Sequence, residues 1–311
     1  MSTSPPKLPK HHYIPVFYLK QWRGPDRRVI EFSRPYKNKV KPRNVDPDGT
    51  GYVRGLYRMP GVADEFAEVI ERTFFKLVDD HAAIALQKLL KNEMTDWSLD
   101  LRKSWTLFLM SMFMRSPKIV ADVLAAITEG LPEQWAAIQK KWAIDKPGEP
   151  PLEDFNPTIG QQYSLLALRR FIANDELGLL ILSMVSGVMD LSKTPYRLVT
   201  SDRPVVMTDG LGYTTSHLAL PLGPTMLFVA ANTQEMMDEL RRMDSGNLVH
   251  NCNRWTVRHA VKYVWARDHS HDELIEAEMS ADAKNEPSPF SGPRAPQPGK
   301  ELVPLAKRIG T

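Results

Sequence analysis

The residue types with the most chemical potential stand close to the start of the chain, in the run His11-His12-Tyr13-Ile14-Pro15. Adjacent side chains on an extended segment point to opposite faces, so one imidazole is expected inside and the other toward solvent or a neighbouring element. An imidazole in either place can move protons near neutral pH or ligate a metal, or can be a satisfied core histidine. A second candidate is Glu71, in a segment where Phe66, Ile70, Phe74, Val78, Ala85 and Leu89 recur at helical spacing. At about 100° per residue Glu71 lies about 20° from Val78 and between Phe74 and Phe75 around the helix, on the apolar stripe. A carboxylate there needs a partner, because desolvating an unpaired charge costs several kcal/mol. Arg115, at the end of a very apolar second helix, is the natural partner, in a catalytic role or as a structural Glu71–Arg115 pair joining two helices. Ser201-Asp202 is the third candidate, at the end of an expected strand where functional side chains are often presented. Ser and Asp before Arg203-Pro204 are equally typical turn formers. If His11 or His12, Glu71 and Asp202 converge, they make a His/carboxylate set suited to a hard divalent ion and to activating water for phosphodiester hydrolysis.

Other chemistries find less support. The histidine pair invites comparison with HNH-type nucleases, but their compact site needs another histidine soon after, and the next here is His81. No GxxxxGK[ST], GxGxxG or GxSxG sequence is present. The single cysteine, Cys252, excludes an intrachain disulfide and multi-cysteine metal sites, and it lies in an amphipathic helix where packing is the default. Asp268-His269-Ser270-His271-Asp272 reads as a solvated polar cluster, and Met110, Met112 and Met114 with Phe108 and Phe113 as core filling.

Charge is distributed unevenly. Net +3 conceals thirteen Lys/Arg against four acids in residues 1–58, a local surplus of +9 that leaves −6 for the remainder. That segment also carries Tyr13, Phe17, Tyr18, Trp22, Tyr36 and Tyr52, the mixture that phosphate neutralisation and base stacking use, so nucleic acid is the expected partner if the arm is not simply solvated. The apolar runs near residues 110 and 185 are too short to span a bilayer, and the start lacks the apolar stretch of a secretory signal. A cytoplasmic protein without membrane partners is the expectation.

The elements that must position these residues are legible at coarse grain. The composition, 42% hydrophobic and 25% charged over 311 residues, is that of a globular chain. Residues 13–19 and 29–32 read as strands, residues 63–91 as one helix, and 98–116 as another. Pro117 restarts a helix that ends near Gly130, followed by a separate helix over 133–143. Residues 145–157, with four prolines, form a linker or surface loop. Helices are expected over 159–173 and 176–191, strands over 196–200, 205–208, 217–220 and 226–230, helices over 233–242 and 246–260, and a closing strand over 261–266. The fold class is therefore α+β: a central helical bundle (62–191) packed on a small mixed sheet formed by N-terminal strands (10–60) and the segment 195–267. Residues 1–9 are expected to be a flexible arm, 10–279 a single domain, and 280–311, rich in proline, a disordered tail.

The opening His11–Trp22 (HHYIPVFYLKQW) and Thr200–Val205 (TSDRPV) together resemble a bacterial family of unknown function, domain of unknown function 4238. Looser likenesses lie at Ile70-Glu71 with Asp79-Asp80, Met114–Pro117, Pro221–Pro224 and Asn253 before Tyr263–Ala266, so the resemblance spans about residues 10–267. It implies no activity and lends no established catalytic residues. It does imply an acidic position eight residues after Glu71, occupied here by Asp79. The functional expectation is a metal-assisted hydrolase of nucleic acid, acting in defence against mobile elements. Its catalytic candidates are His11, His12, Arg115, Ser201 and Asp202, and its ligands to Mg²⁺ or Mn²⁺ are His12, Glu71, Asp79 and Asp202. The rivals are a non-enzymatic interaction module and a small-molecule hydrolase with an enclosed pocket lined by Trp and Met.

Overall fold

A computed structural model describes residues 7–36, 39–94, 97–207 and 211–279. The expected tail over 280–311 and most of the expected arm over 1–9 lie outside the described residues. Residues 7–9 are tied down, since Leu8 and Pro9 carbonyls accept hydrogen bonds from the Arg54 side chain and the Gly55 amide.

The chain begins with β1 (Lys10–His12), then α1 (Val16–Leu19) with a 3₁₀ turn over Lys20–Trp22, β2 (Val29–Tyr36), β3 (Lys39–Val45) and β4 (Tyr52–Arg54). The strand expected over 13–19 is instead a turn into a helix. Pro15 sits at its N-cap, and Tyr18, Leu19 and Trp22 are all fully buried, which an alternating strand would not allow. Gly51 fixes this turn from below: its carbonyl accepts from the Tyr13 and Ile14 amides, and its φ of +65° with Ile14 3.2 Å from any added Cβ leaves room for glycine alone.

The helical middle follows. α2 (Asp64–Ala67) is short, a π-helical turn spans Glu71–Phe75, and α3 (Lys76–Leu90) continues from it, so the single helix expected over 63–91 is interrupted. α4 (Leu99–Met114) and α5 (Pro117–Asp145) meet at Arg115. α5 runs unbroken through Gly130 and Pro132, where two helices were expected. α6 is Pro157–Ile172. α7 (Asp175–Leu182) is followed by β5 (Val185–Asp190), so the helix expected to run to 191 gives way to a strand that pairs with β9.

The remaining elements are β6 (Thr200–Ser201), β7 (Val206–Met207), β8 (His217–Gly223), β9 (Met226–Ala231), α8 (Gln234–Arg242), α9 (Ser245–His259), β10 (Tyr263–Ala266) and α10 (Asp272–Glu278). All strand pairs are antiparallel. The fold class is α+β, but among the described residues the strands form three small sheets rather than one mixed sheet: β1-β4, β3-β2-β10-β6 and β5-β9-β8-β7. The second joins N-terminal and C-terminal segments, as the sequence suggested.

The third sheet is buried on both faces. Leu218, Leu220, Leu222, Phe228 and Ala230 join the large core shared with the helical middle, while Ala219, Leu227, Val229 and Ala231 face the side covered by α8 and α9. This period-two division explains the nearly continuous apolar reading of β8 and β9. Among the described residues no helix is long and apolar enough to cross a membrane.

Candidate functional site

Arg115 is the hub. The sequence Met114-Arg115-Ser116-Pro117 ends one helix and starts the next: Ser116 caps α5 through the Ile119 amide and Pro117 occupies its first turn, where a missing N–H costs nothing. This abrupt junction forces the arginine into the core, with no measurable exposure. Its Nη1 and Nη2 each donate to Asp79 Oδ1 at 2.9 Å, and the guanidinium lies over the rings of Phe75 and Phe108. The Arg115 carbonyl accepts from the Tyr57 hydroxyl at 2.7 Å. Asp79 is thus the partner of Arg115, and the direct Glu71–Arg115 pair considered from sequence is not formed.

Glu71 is left without one. It opens the π-helical turn, and its Oε2 is buried with no hydrogen-bond partner. Burial, together with the nearby charge of Asp79 and against that of Arg115, pushes its carboxyl up to about 7. Asp79 is also raised, by burial first, while Arg115 opposes the shift. The extra residue in a π turn re-aims side chains on either side of it, and such turns recur at functional sites.

The two histidines divide as expected. His11 is buried at 1% exposure; its Nδ1 accepts from the Tyr57 amide at 2.9 Å, so Nε2 carries the proton and donates to Glu68. The imidazole stacks on the Tyr57 ring, which in turn stacks on Phe75. Glu68 also accepts from Arg58 at 2.7 Å. Burial lowers the His11 pKa, with Glu68 pulling the other way. His12 faces the opposite side, with 17% of its side chain exposed, Nε2 3.4 Å from the Asp48 carbonyl and its ring against Tyr52. Burial lowers its pKa as well, and Arg115 is among the charges that reach it. Lys10, ion-paired with Asp48 at 3.0 Å, and Arg54 lie over the Tyr52 ring.

Ser201 and Asp202 belong to a different place. Asp202 is buried and accepts from the amides of Val261, Lys262 and Tyr263 at 2.8, 2.7 and 3.1 Å, closing the turn from α9 into β10. Burial pushes it up to about 6 against those three donors. Ser201 is buried and accepts from the Arg203 amide. Both side chains are consumed in the turn chemistry that was the alternative reading. The other recognised motifs are also latches: Tyr18 donates to the Pro221 carbonyl, Asn253 bridges Val199 and Arg197, and Trp265 donates to Thr50, whose hydroxyl donates to the buried Glu31. Cys252 is packed in the core with its thiol pushed up to about 12 by burial.

The expected ligand set His12, Glu71, Asp79 and Asp202 therefore does not assemble. Among the described residues no group of three or more His, Cys, Asp or Glu is placed to hold a metal ion. The physical reason is visible: Asp202 serves a backbone turn, and the positive charge that Glu71 and Asp79 require comes from the Arg115 guanidinium. These residues do not fit a divalent ion. What remains is a carboxyl on Glu71 that titrates near neutrality next to the Asp79–Arg115 pair.

Glu68 and Tyr57 were missed from sequence. Glu68 lies three residues before Glu71, a helical spacing that could have drawn it in; Tyr57 had no such signal.

The model of a protein family of unknown function, DUF4238, matches residues 10–270. The chain belongs to this family. No curated protein and no solved structure matches it. Membership in DUF4238 spans both the Arg115 cluster and the Asp202 turn, and brings no activity with it.

Proposed function

We propose that the Arg115 cluster is an acid–base centre for cleaving phosphodiester bonds in nucleic acid. The observation that carries this reading is the half-buried Glu71, with an unpartnered oxygen and a carboxyl that titrates at about 7. A group poised near the working pH is the most effective proton donor or acceptor. Neutral His12 takes the proton of the attacking hydroxyl; its oxygen bonds to phosphorus, and the leaving oxygen departs with the proton of Glu71. Arg115 touches no substrate and acts as a positioning residue, its charge setting the protonation of Glu71 and His12. Lys10 and Arg54, flanking Tyr52, supply phosphate neutralisation and a stacking surface at the rim. No step requires a divalent ion.

The test is incubation of the purified full chain with RNA, single-stranded DNA and duplex DNA, in EDTA and in Mg²⁺ or Mn²⁺. Cleavage in EDTA, reduced about 100-fold or more by Glu71→Gln and by His12→Ala, is the expected outcome. Intact substrate in every lane would overturn it.

A second reading has its own support. Most motifs shared with the family are spent on packing, which suits an interaction module in which the basic rim binds nucleic acid without turnover. Salt-sensitive binding with no products would favour it.

A further inference from the structure

A cavity of about 360 Å³ opens between α4, α7 and the third sheet, lined by residues other than those of the Arg115 cluster. It has the size of a small-ligand site. Trp97, Trp105 and Phe228 form aromatic walls: the two indoles meet edge to face at 6.4 Å between centroids, and Trp105 meets Phe228 the same way at 5.6 Å. Ile181 and Met184 complete the apolar lining.

Among the described residues its charge is one-sided. Trp105 is 2% exposed, and the indole N–H groups of both Trp97 and Trp105 are buried without an acceptor. Two orphan donors in the wall of one cavity are unusual, because a buried donor left unmade costs about 1–3 kcal/mol. Arg102 stands at the edge, exposed, its guanidinium donating to the Leu182 carbonyl at 3.1 Å. Trp and Arg side chains only donate hydrogen bonds. No Asp or Glu is among the described residues that line the cavity. The Thr106 and Ser186 hydroxyls add neutral contacts of either kind, so that the one charge among the described lining residues, with the indole donors and apolar walls, selects a ligand with acceptors, one negative charge and an apolar body.

We propose that this cavity binds a small organic carboxylate with an aromatic or aliphatic body. The carboxylate lies at Arg102, its acceptor atoms take up the indole N–H groups, and the body fills the space against Phe228, Ile181 and Met184. This holds whether or not the Arg115 cluster is an acid–base centre, since the two share no residue.

The probes are 4-phenylbutyrate and octanoate, each compared with the alcohol of the same skeleton, 4-phenylbutanol and octanol, followed by intrinsic tryptophan fluorescence and by calorimetry on the full chain. Saturable binding of at least one acid is expected, at least tenfold tighter than its alcohol, and weakened at least tenfold by Arg102→Gln. Trp97→Phe, which keeps the wall and removes one donor, is expected to weaken the same acid about threefold or more with an unchanged melting temperature. Arg102 is exposed and Trp97 only half-buried, so both variants are expected to fold. Failure of both acids to saturate would overturn the proposal, as would equal affinity for acid and alcohol, or binding indifferent to Arg102→Gln.

Discussion

At the scale of single residues, Arg115 has an ion-pair partner and Glu71 has none, although the buried Arg115 Nε, like Glu71 Oε2, finds no hydrogen-bond partner. Arg115 is fully buried but has Asp79, Met112 and two aromatic rings around it. Removing it by Arg115→Met strands Asp79 beside Glu71 without a cation, and an uncompensated buried charge typically costs about 3–5 kcal/mol. A fall in melting temperature large enough to approach loss of folding is the expected readout. Glu71 behaves in reverse. Its folded pKa, about 7, stands above the ordinary value of 4.5, so between those pH values the folded state holds more protons than the unfolded one. Stability from this group is complete below about pH 4.5 and is lost as pH rises through 7. Glu71→Gln is therefore expected to stabilise the protein at pH 8, by on the order of 2 kcal/mol, and to change little at pH 5; thermal melts at the two pH values check this, and equal shifts would contradict the assigned environment. His11 has the opposite sign: a histidine lowered by burial gives stability above pH 6.5 that is lost on acidification. Tolerating a carboxylate that destabilises the fold at neutral pH is the trade expected of a functional side chain.

At the scale of elements, the decisive features are junctions. The Asp202 carboxylate satisfies three consecutive amides where α9 turns into β10, the strand that holds the second sheet together. Asp202→Ala leaves those donors exposed to an apolar surrounding, and a loss of about 3 kcal/mol or more in chemical denaturation is expected; a loss below about 1 kcal/mol would mean the turn is held by other contacts. Pro132 interrupts the hydrogen-bond ladder inside α5. Pro132→Ala restores one bond and is expected to raise stability by about 1–3 kcal/mol, measured the same way. These junctions also show what was legible beforehand. The helix start marked by Pro117 and strands marked by apolar pairs such as Val264-Trp265 stood out, because proline and periodicity are local signals. The π turn at Glu71, the end of α7 before β5 and the passage of α5 through Pro132 did not, because each is decided by tertiary partners: Phe74 and Phe75 entering the core, β9 pairing with Val185–Asp190, and packing against α6. The same limit applied to the site. That one histidine would be inward followed from alternation, and Glu71 on the apolar stripe followed from helical geometry. Which acid would meet Arg115, and that Asp202 would be consumed by a distant turn, depends on contacts between residues 36 and 59 positions apart.

At the scale of the whole molecule, the fold is three layers tied by long-range polar latches. The helical middle and the α8–α9 pair clasp the third sheet, and Tyr18, Trp22 and Trp265 lock the N-terminal segment onto the C-terminal strands. The first 58 residues carry the basic surplus, and two of its members, Lys10 and Arg54, lie over the Tyr52 ring against which His12 packs. Charge concentrated in this way predicts nucleic-acid affinity that falls steeply between 50 and 200 mM salt, with a slope reduced by about 1 for each of Lys10→Gln and Arg54→Gln. The most direct test of the account is single-turnover cleavage of an RNA oligonucleotide in EDTA, followed from pH 5 to 9 with the unaltered chain and with Glu71→Gln. The account predicts cleavage whose rate falls as pH rises through about 7 as Glu71 loses its proton, and a Glu71→Gln protein that is folded and at least 100-fold slower. A folded Glu71→Gln protein that cleaves at the unaltered rate, or an unaltered chain that leaves RNA whole at every pH, would contradict it.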